Sequence, residues 1–226
     1  RLVSDPPSKG RDDEPEGATL IHPISEVIMQ AKQELILVSP YFVPRKSGVE
    51  AFEQLRARDV EVRILTNSLA ATDVSAVHSG YAPSRKPLLK AGVKLYEVRA
   101  DAKVPGTQWV GVKRGRASLH TKAFLVDRQK IFIGSFNFDP RSVSLNTEMG
   151  IFLEAPALAQ MLTEKIIGEM SRGTATYEVV LNDNNQLRWL GQENGQPVRL
   201  KKEPQTSFWK RFAAGFMRIL PIRGQL

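Results

Sequence analysis

The chain contains no cysteine, which excludes disulfides and cysteine-ligated metal sites. Histidine is nearly as scarce. His22, His78 and His120 are the only three, too few for a His-rich zinc site. No apolar run approaches the length of a membrane-spanning helix. No signal-peptide pattern opens the sequence, and it holds neither an internal repeat nor a low-complexity tract. What is present is ordinary for a globular domain: 226 residues, 42% hydrophobic and 25% charged, enough for one substantial core.

The net charge of +8 invites a nucleic-acid reading, but its distribution opposes one. From Arg199 to Leu226 there are seven Lys or Arg against one Glu, so this segment supplies +6 of the total. A protein that tracks a phosphate backbone is expected to carry its cations around the active groove instead. Nucleic acid is therefore not the expected partner.

Periodicity predicts alternating elements. Helices are expected at residues 22–33, 48–58, 73–91 (interrupted near Pro83) and 156–170. Strands are expected at 35–39, 60–66, 93–98, 119–127, 130–134, 147–154, 177–181 and 187–190, with a loop over 100–117. The alternation implies an α/β layer with parallel strands. Residues 1–18 are polar and rich in Pro and Gly, and read as a linker.

The most informative stretch is His120-Thr-Lys122, then Asp127, then Gly134-Ser-Phe-Asn137. Its parts suit phosphodiester chemistry. An imidazole can attack phosphorus or protonate a leaving oxygen. A lysine two residues along a strand shares its face and can neutralise a phosphate oxygen. Ser135 and Asn137 can donate further hydrogen bonds to the same anion, and Gly134 would let the backbone pass close to a ligand. A lysine leading an apolar strand is costly to bury without an anion. Asp127 stands at a strand end before a turn, where local support and a direct role are both open. Thr66-Asn67-Ser68 should emerge at the carboxyl end of a strand, where α/β sheets place ligands. With Thr72, Asp73, His78 and Tyr81 they are candidate substrate contacts.

H-x-K-x4-D alone is a weak signal. With the downstream G-S-x-N and Asn146-Thr-Glu148 it resembles the HKD motif of the phospholipase D superfamily. The likeness extends to Ser39-Pro-Tyr-Phe-Val-Pro44, Leu65-Thr-Asn-Ser-Leu-Ala-Ala-Thr-Asp73, Ala76-Val-His-Ser-Gly-Tyr81 and Asn137-Phe-Asp-Pro-Arg-Ser142, which look like the bacterial cardiolipin synthase branch. It covers most of residues 20–226.

The resemblance implies an α/β/α sandwich with a mixed central sheet and the motif strands near its middle. It implies phosphatidyl transfer between phospholipids through a phosphohistidine, with phosphatidylglycerol or a similar lipid as substrate and no metal or cofactor. Glu148 would hydrogen-bond and orient His120, and Asn146 would share its face. The superfamily site uses two HKD motifs and this chain has one, so an upstream half or a symmetric dimer is expected to complete it. By the same resemblance the upstream histidine is the nucleophile more often, which leaves His120 as general acid. Asp5-Pro-Pro-Ser-Lys9 resembles the segment joining two such halves, so this chain is expected to be a C-terminal half. The division that follows is a linker at 1–18, the HKD domain at 19–198 and a basic amphipathic tail at 199–226.

In the tail, Phe208, Trp209, Phe212, Phe216, Met217, Ile219 and Leu220 share one side of a helical wheel, opposite Lys210, Arg211 and Arg218. That pattern suits an interfacial helix on an anionic membrane, here the bacterial cytoplasmic membrane, met peripherally. Packing on the domain or on the other half is the alternative. The ending Leu220–Leu226 resembles the family's, except that Arg223 stands where an acidic residue is usual. The rival function is an HKD phosphodiesterase or nuclease acting as a homodimer.

Overall fold

The computed structural model describes residues 1–11, 19–102, 110–113 and 116–217, with side chains described at all of these except 110–113 and 116. The elements run β1 (Leu2–Ser4), α1 (Ile21–Met29), β2 (Glu34–Val38), α2 (Arg45–Ala57), β3 (Glu61–Asn67), α3 (Ser75–Tyr81), α4 (Arg85–Lys90) and β4 (Lys94–Val98). They continue with β5 (Val110–Lys113), β6 (Arg116–Leu119), β7 (Ala123–Val126), β8 (Lys130–Gly134), α5 (Pro140–Ser144), β9 (Met149–Glu154) and α6 (Pro156–Arg172). The last are β10 (Thr176–Leu181), β11 (Leu187–Glu193), β12 (Gln196–Leu200) and α7 (Phe208–Met217).

One mixed sheet takes the order β1-β9-β8-β7-β2-β3-β4-β10-β11-β12. Only β2–β3 and β3–β4 pair in parallel; the other pairs are antiparallel. The unbroken apolar run of β2 has a physical reason. Leu35 and Leu37 pack into one core with Ile24 and Ile28 of α1, Val49, Phe52 and Leu55 of α2, and Leu88 of α4. Ile36 and Val38 point the other way, into a core with Ala159, Ile166 and Met170 of α6. Successive strand residues face opposite sides, so a strand sandwiched between two helix layers must be apolar throughout. The three-layer α/β architecture is as expected.

The sheet fixes where the site lies. Because β7 runs antiparallel to β2, the residues leading into β7 sit at the carboxyl ends of β2 and β3. The same end receives the end of β8 and the start of β9.

Several expectations change. Residues 1–11, read from composition as linker, are held on the domain. Leu2–Ser4 pairs with β9, and Asp5 and Lys9 form an ion pair of 2.6 Å with both side chains fully buried. Edge pairing and one internal ion pair order a segment that composition alone does not. Residues 12–18 lie outside the described residues. Within the expected loop at 100–117, β5 and β6 pair antiparallel, while residues 103–109, 114 and 115 lie outside the described residues. The short helix α5 and the strand β12 were not expected. Among the described residues no helix is long and apolar enough to cross a membrane.

Candidate active site

His120, Thr121 and Lys122 lie in the non-strand link between β6 and β7. The alternation argument for a shared strand face therefore does not apply to them. The local geometry achieves proximity differently: Lys122 Nζ folds back to donate to the His120 carbonyl at 3.1 Å. Lys122 is itself pinned, its carbonyl accepting from Gly134 N at 3.1 Å. His120 is exposed and Lys122 half-buried. Burial pushes the Lys122 pKa below the ordinary lysine value, while the carboxylates of Glu148, Asp139 and Asp73 pull it back up. A half-desolvated ammonium beside an exposed imidazole is suited to receiving an oxyanion.

Asn67 does not offer its amide to a substrate. It is buried, accepting from Leu119 N at 2.9 Å and donating to Leu119 O at 3.2 Å. It fixes the residue before His120, which makes it a positioning group. Thr66 and Ser68 are also buried; Thr66 Oγ1 donates to Pro40 O, and Ser68 Oγ accepts from Ala71 N.

Glu148 is buried just ahead of β9, and its expected bond to His120 is absent among the described residues. One carboxylate oxygen accepts from Ser142 Oγ at 2.7 Å and the other from Ser135 Oγ. Its amide donates to Asp5 Oδ2 at 2.8 Å. Ser142 Oγ also accepts from Asn137 N at 3.2 Å. Glu148 thus organises the loop carrying Ser135 and Asn137, and Asp5 supports it from behind. Asn137 is buried, and its side-chain carbonyl oxygen, an acceptor, lacks a partner; binding an anion would fall to its NH2 group. Asn146, two residues before Glu148, is half-buried, its backbone amide donating to Arg141 O at 2.7 Å.

Gly134 gives room to a strand and not to a ligand. A Cβ there would lie 2.4 Å from Met149 O, where β8 and β9 close on one another. Asp127 is at the opposite end of β7 from His120. Its carboxylate takes the amides of Lys32, Gln33 and Glu34 at 2.8–3.2 Å, so it anchors the start of β2 and has no direct place in the site. His78 is also elsewhere. It is buried, with Nε2 3.0 Å from Arg85 Nη2 and 3.3 Å from Glu203 Oε1. Tyr81 belongs to the same enclosed network through Glu97, at 3.1 Å.

Sequence reasoning missed Ser142, Asp139 and Tyr41. The first two had a readable signal: in Asp139-Pro-Arg-Ser142 the Asp caps α5, its carboxylate accepting from Ser142 N at 2.8 Å, with Pro in the first helical position. Tyr41 donates to Asp73 at 2.8 Å. Its phenol is pushed up to about 12, by burial first and by Asp73 next. Among the described residues no group of three or more His, Asp or Glu is placed to hold a metal ion.

Residues 24–170 match the family model described as "Cardiolipin synthase, PLD-like domain". The chain is 40% identical over 224 residues to cardiolipin synthase C of Escherichia coli K12, an alignment covering 98% of this chain and 47% of that protein. It therefore spans about half the length of this relative. Among solved structures, Nuc, a phospholipase D family member from Salmonella typhimurium, superposes with a TM-score of 0.54 at 19% identity, covering 78% of this chain and 96% of that one. Phosphatidylserine synthase of Haemophilus influenzae superposes with a TM-score of 0.53 at 16% identity, covering 72% and 37%. At these identities the two structures share the fold.

Proposed function

The chain belongs to the phospholipase D-like domains of the cardiolipin synthase type, and from that premise we propose that it supplies one of two half-sites for phosphatidyl transfer between phospholipids. The observation that carries the reading is the exposed His120 beside the half-desolvated Lys122, both open at the sheet end where Ser135, Asn137 and Glu148 gather. A second imidazole, from an upstream half or a second copy, attacks phosphorus and forms the phosphohistidine. His120 protonates the departing alcohol oxygen as its bond to phosphorus breaks. His120 then removes the proton from the acceptor hydroxyl, which attacks phosphorus and releases the first imidazole. With phosphatidylglycerol as donor and acceptor, the leaving alcohol is glycerol and the product is cardiolipin.

Lys122 and Asn137 meet the nonbridging oxygens. Glu148 is a positioning residue, holding Ser135 and the backbone around Asn137 through Ser142. The partner half is assigned to the stripe of exposed apolar residues on β1, β8 and β9: Leu2, Ile133, Met149, Ile151 and Leu153. Ile133 directly precedes Gly134-Ser135 and Met149 directly follows Glu148, so a partner seated there adjoins the half-site. The chain is read as a C-terminal half whose HKD domain includes β1 and Asp5 as well as residues 19–198, with a basic segment at 199–226 and a peripheral place at the bacterial cytoplasmic membrane.

The test is a protein carrying both halves, assayed with labelled phosphatidylglycerol and with plasmid DNA. Lipid transfer that disappears in His120→Ala, with DNA left intact, is expected. DNA hydrolysis without lipid turnover would replace this reading by a dimeric nuclease.

A further inference from the structure

We infer that the aromatic face of α7 docks the chain on an anionic lipid bilayer, with the His120 end of the sheet towards that bilayer. At about 100° per residue, Phe208, Phe212, Phe216 and Trp209 occupy a single arc of roughly 100°, and Ala214 falls on the opposite side. The structure uses the two sides differently. Ala214 is 2% exposed, packs against α3, and accepts from Ser79 Oγ at 2.8 Å. Phe208, Trp209, Phe212 and Phe216 are 63%, 72%, 58% and 54% exposed. Three of them contact one another, with ring centroids 5.5–6.3 Å apart. The helix is fixed to the domain by its small-residue side, so the aromatics are surplus to packing. Four exposed aromatic side chains in one patch mark an interaction surface.

The surrounding charge selects the occupant. Arg199, Lys201 and Lys202 are exposed on the strand and turn that lead to α7. The acid beside them, Glu203, is turned inward to Arg85 at 2.5 Å and does not offset them. Aromatic rings that bury in the acyl boundary, with cations close by, match an anionic membrane surface. The place of the helix gives the orientation. Lys210 Nζ lies 3.5 Å from Ala70 O, in the segment leaving β3. That segment follows Asn67, the last residue of β3, which holds Leu119 beside His120. A chain docked through α7 thus brings its half-site end to the headgroups. The partner surface assigned above lies on β1, β8 and β9, leaving α7 to a different occupant. The inference rests on the phosphatidyl-transfer reading only for the lipid being the substrate.

The experiment is co-sedimentation of the intact chain with phosphatidylcholine vesicles and with mixed phosphatidylcholine–phosphatidylglycerol vesicles. Binding to the mixed vesicles is expected, weakened by salt, and reduced roughly 100-fold when all four aromatics are changed to serine. Those positions are exposed, so an unchanged thermal melt would confirm folding. As an independent readout, brominated lipid should quench emission in the wild type and much less in Trp209→Phe. Equal vesicle binding by the serine variant, or equal quenching with and without Trp209, would overturn the inference. So would a wild type that ignores vesicles but dimerises through the aromatics. His120→Ala should bind vesicles as the wild type does. Vesicle binding by a two-half protein with no lipid turnover would support the docking surface while sinking the transfer reading, so the two fail separately.

Discussion

Two clusters in this molecule combine a histidine, a basic side chain and carboxylates. Around His78, Arg85 contacts Glu97 at 2.7 Å and Glu203 at 2.5 Å; Trp189 and Tyr81 donate to Glu97 at 2.9 and 3.1 Å. Arg85 and Glu97 have almost no solvent exposure. Around His120, the imidazole is exposed and Lys122 has a carbonyl as its hydrogen-bond acceptor. The same residue types are closed in one place and open in the other. A closed network is shut off from solvent by its ion pairs and holds the fold. An open one keeps capacity for a ligand. Residue identity does not separate the two, and enclosure does.

The comparison can be broken by exchanging the consequences. His120→Ala in a two-half protein should lower transfer by about 10²–10⁴, with stability within about 0.5 kcal/mol of wild type in urea melts, because the site is exposed. Arg85→Met should do the reverse. It leaves Glu97 and Glu203 without their cation, at a cost of about 3–5 kcal/mol, and should not abolish turnover in the molecules that remain folded. Similar losses of both properties in both variants would erase the distinction.

Asn67→Ala sits between the clusters and sharpens the contrast. It removes both bonds to Leu119, so about 1–3 kcal/mol should be lost in denaturant titration, together with a fall in turnover through displacement of His120. A loss of stability with turnover unchanged would mean that His120 is held by other contacts.

The smallest effect concerns pH. Burial would raise the Glu203 carboxyl, but the charge of Arg85 and the bond to His78 outweigh it and hold it well below the usual range. Its contribution is thus fully present above the unfolded value of about 4.3 and is lost as pH falls towards the folded one. Glu203→Gln should cost about 1–2 kcal/mol near neutral pH and flatten the acid side of a stability–pH curve. An unchanged acid limb would show that the tail is held without this ion pair.

Much of the fold was legible because burial on two faces forces a recognisable pattern. The run Leu35–Val38 is apolar throughout, and Val49, Phe52 and Leu55 are spaced for one helix face. Less legible were elements stabilised by remote partners. Strand β1 is three residues long and exists through β9, and β12 carries Pro197 and Arg199 yet pairs with β11. In the site, the spacing brought out His120, Lys122, Ser135 and Asn137. It left support and a direct role open for Asp127, and the structure shows support. Five residues along an extended chain is about 16 Å, so Asp127 falls at the far end of β7 even though it completes the motif. Glu148 was found, but its partners were not, because Ser142 reaches it through a helix turn that periodicity does not report. Asn67 and His78 were read as candidate substrate contacts; the structure instead bonds Asn67 to Leu119 and sets His78 Nε2 against Arg85 and Glu203.

The central claim is that the open cluster is half of a two-histidine site. The direct measurement is turnover of labelled phosphatidylglycerol by this chain alone over a range of concentrations, beside a protein carrying both halves. The account predicts negligible turnover by the chain at concentrations where it is monomeric, and transfer by the two-half protein that His120→Ala removes. Robust turnover by the strictly monomeric chain would contradict it, because one imidazole cannot attack phosphorus and protonate the leaving oxygen from the opposite side.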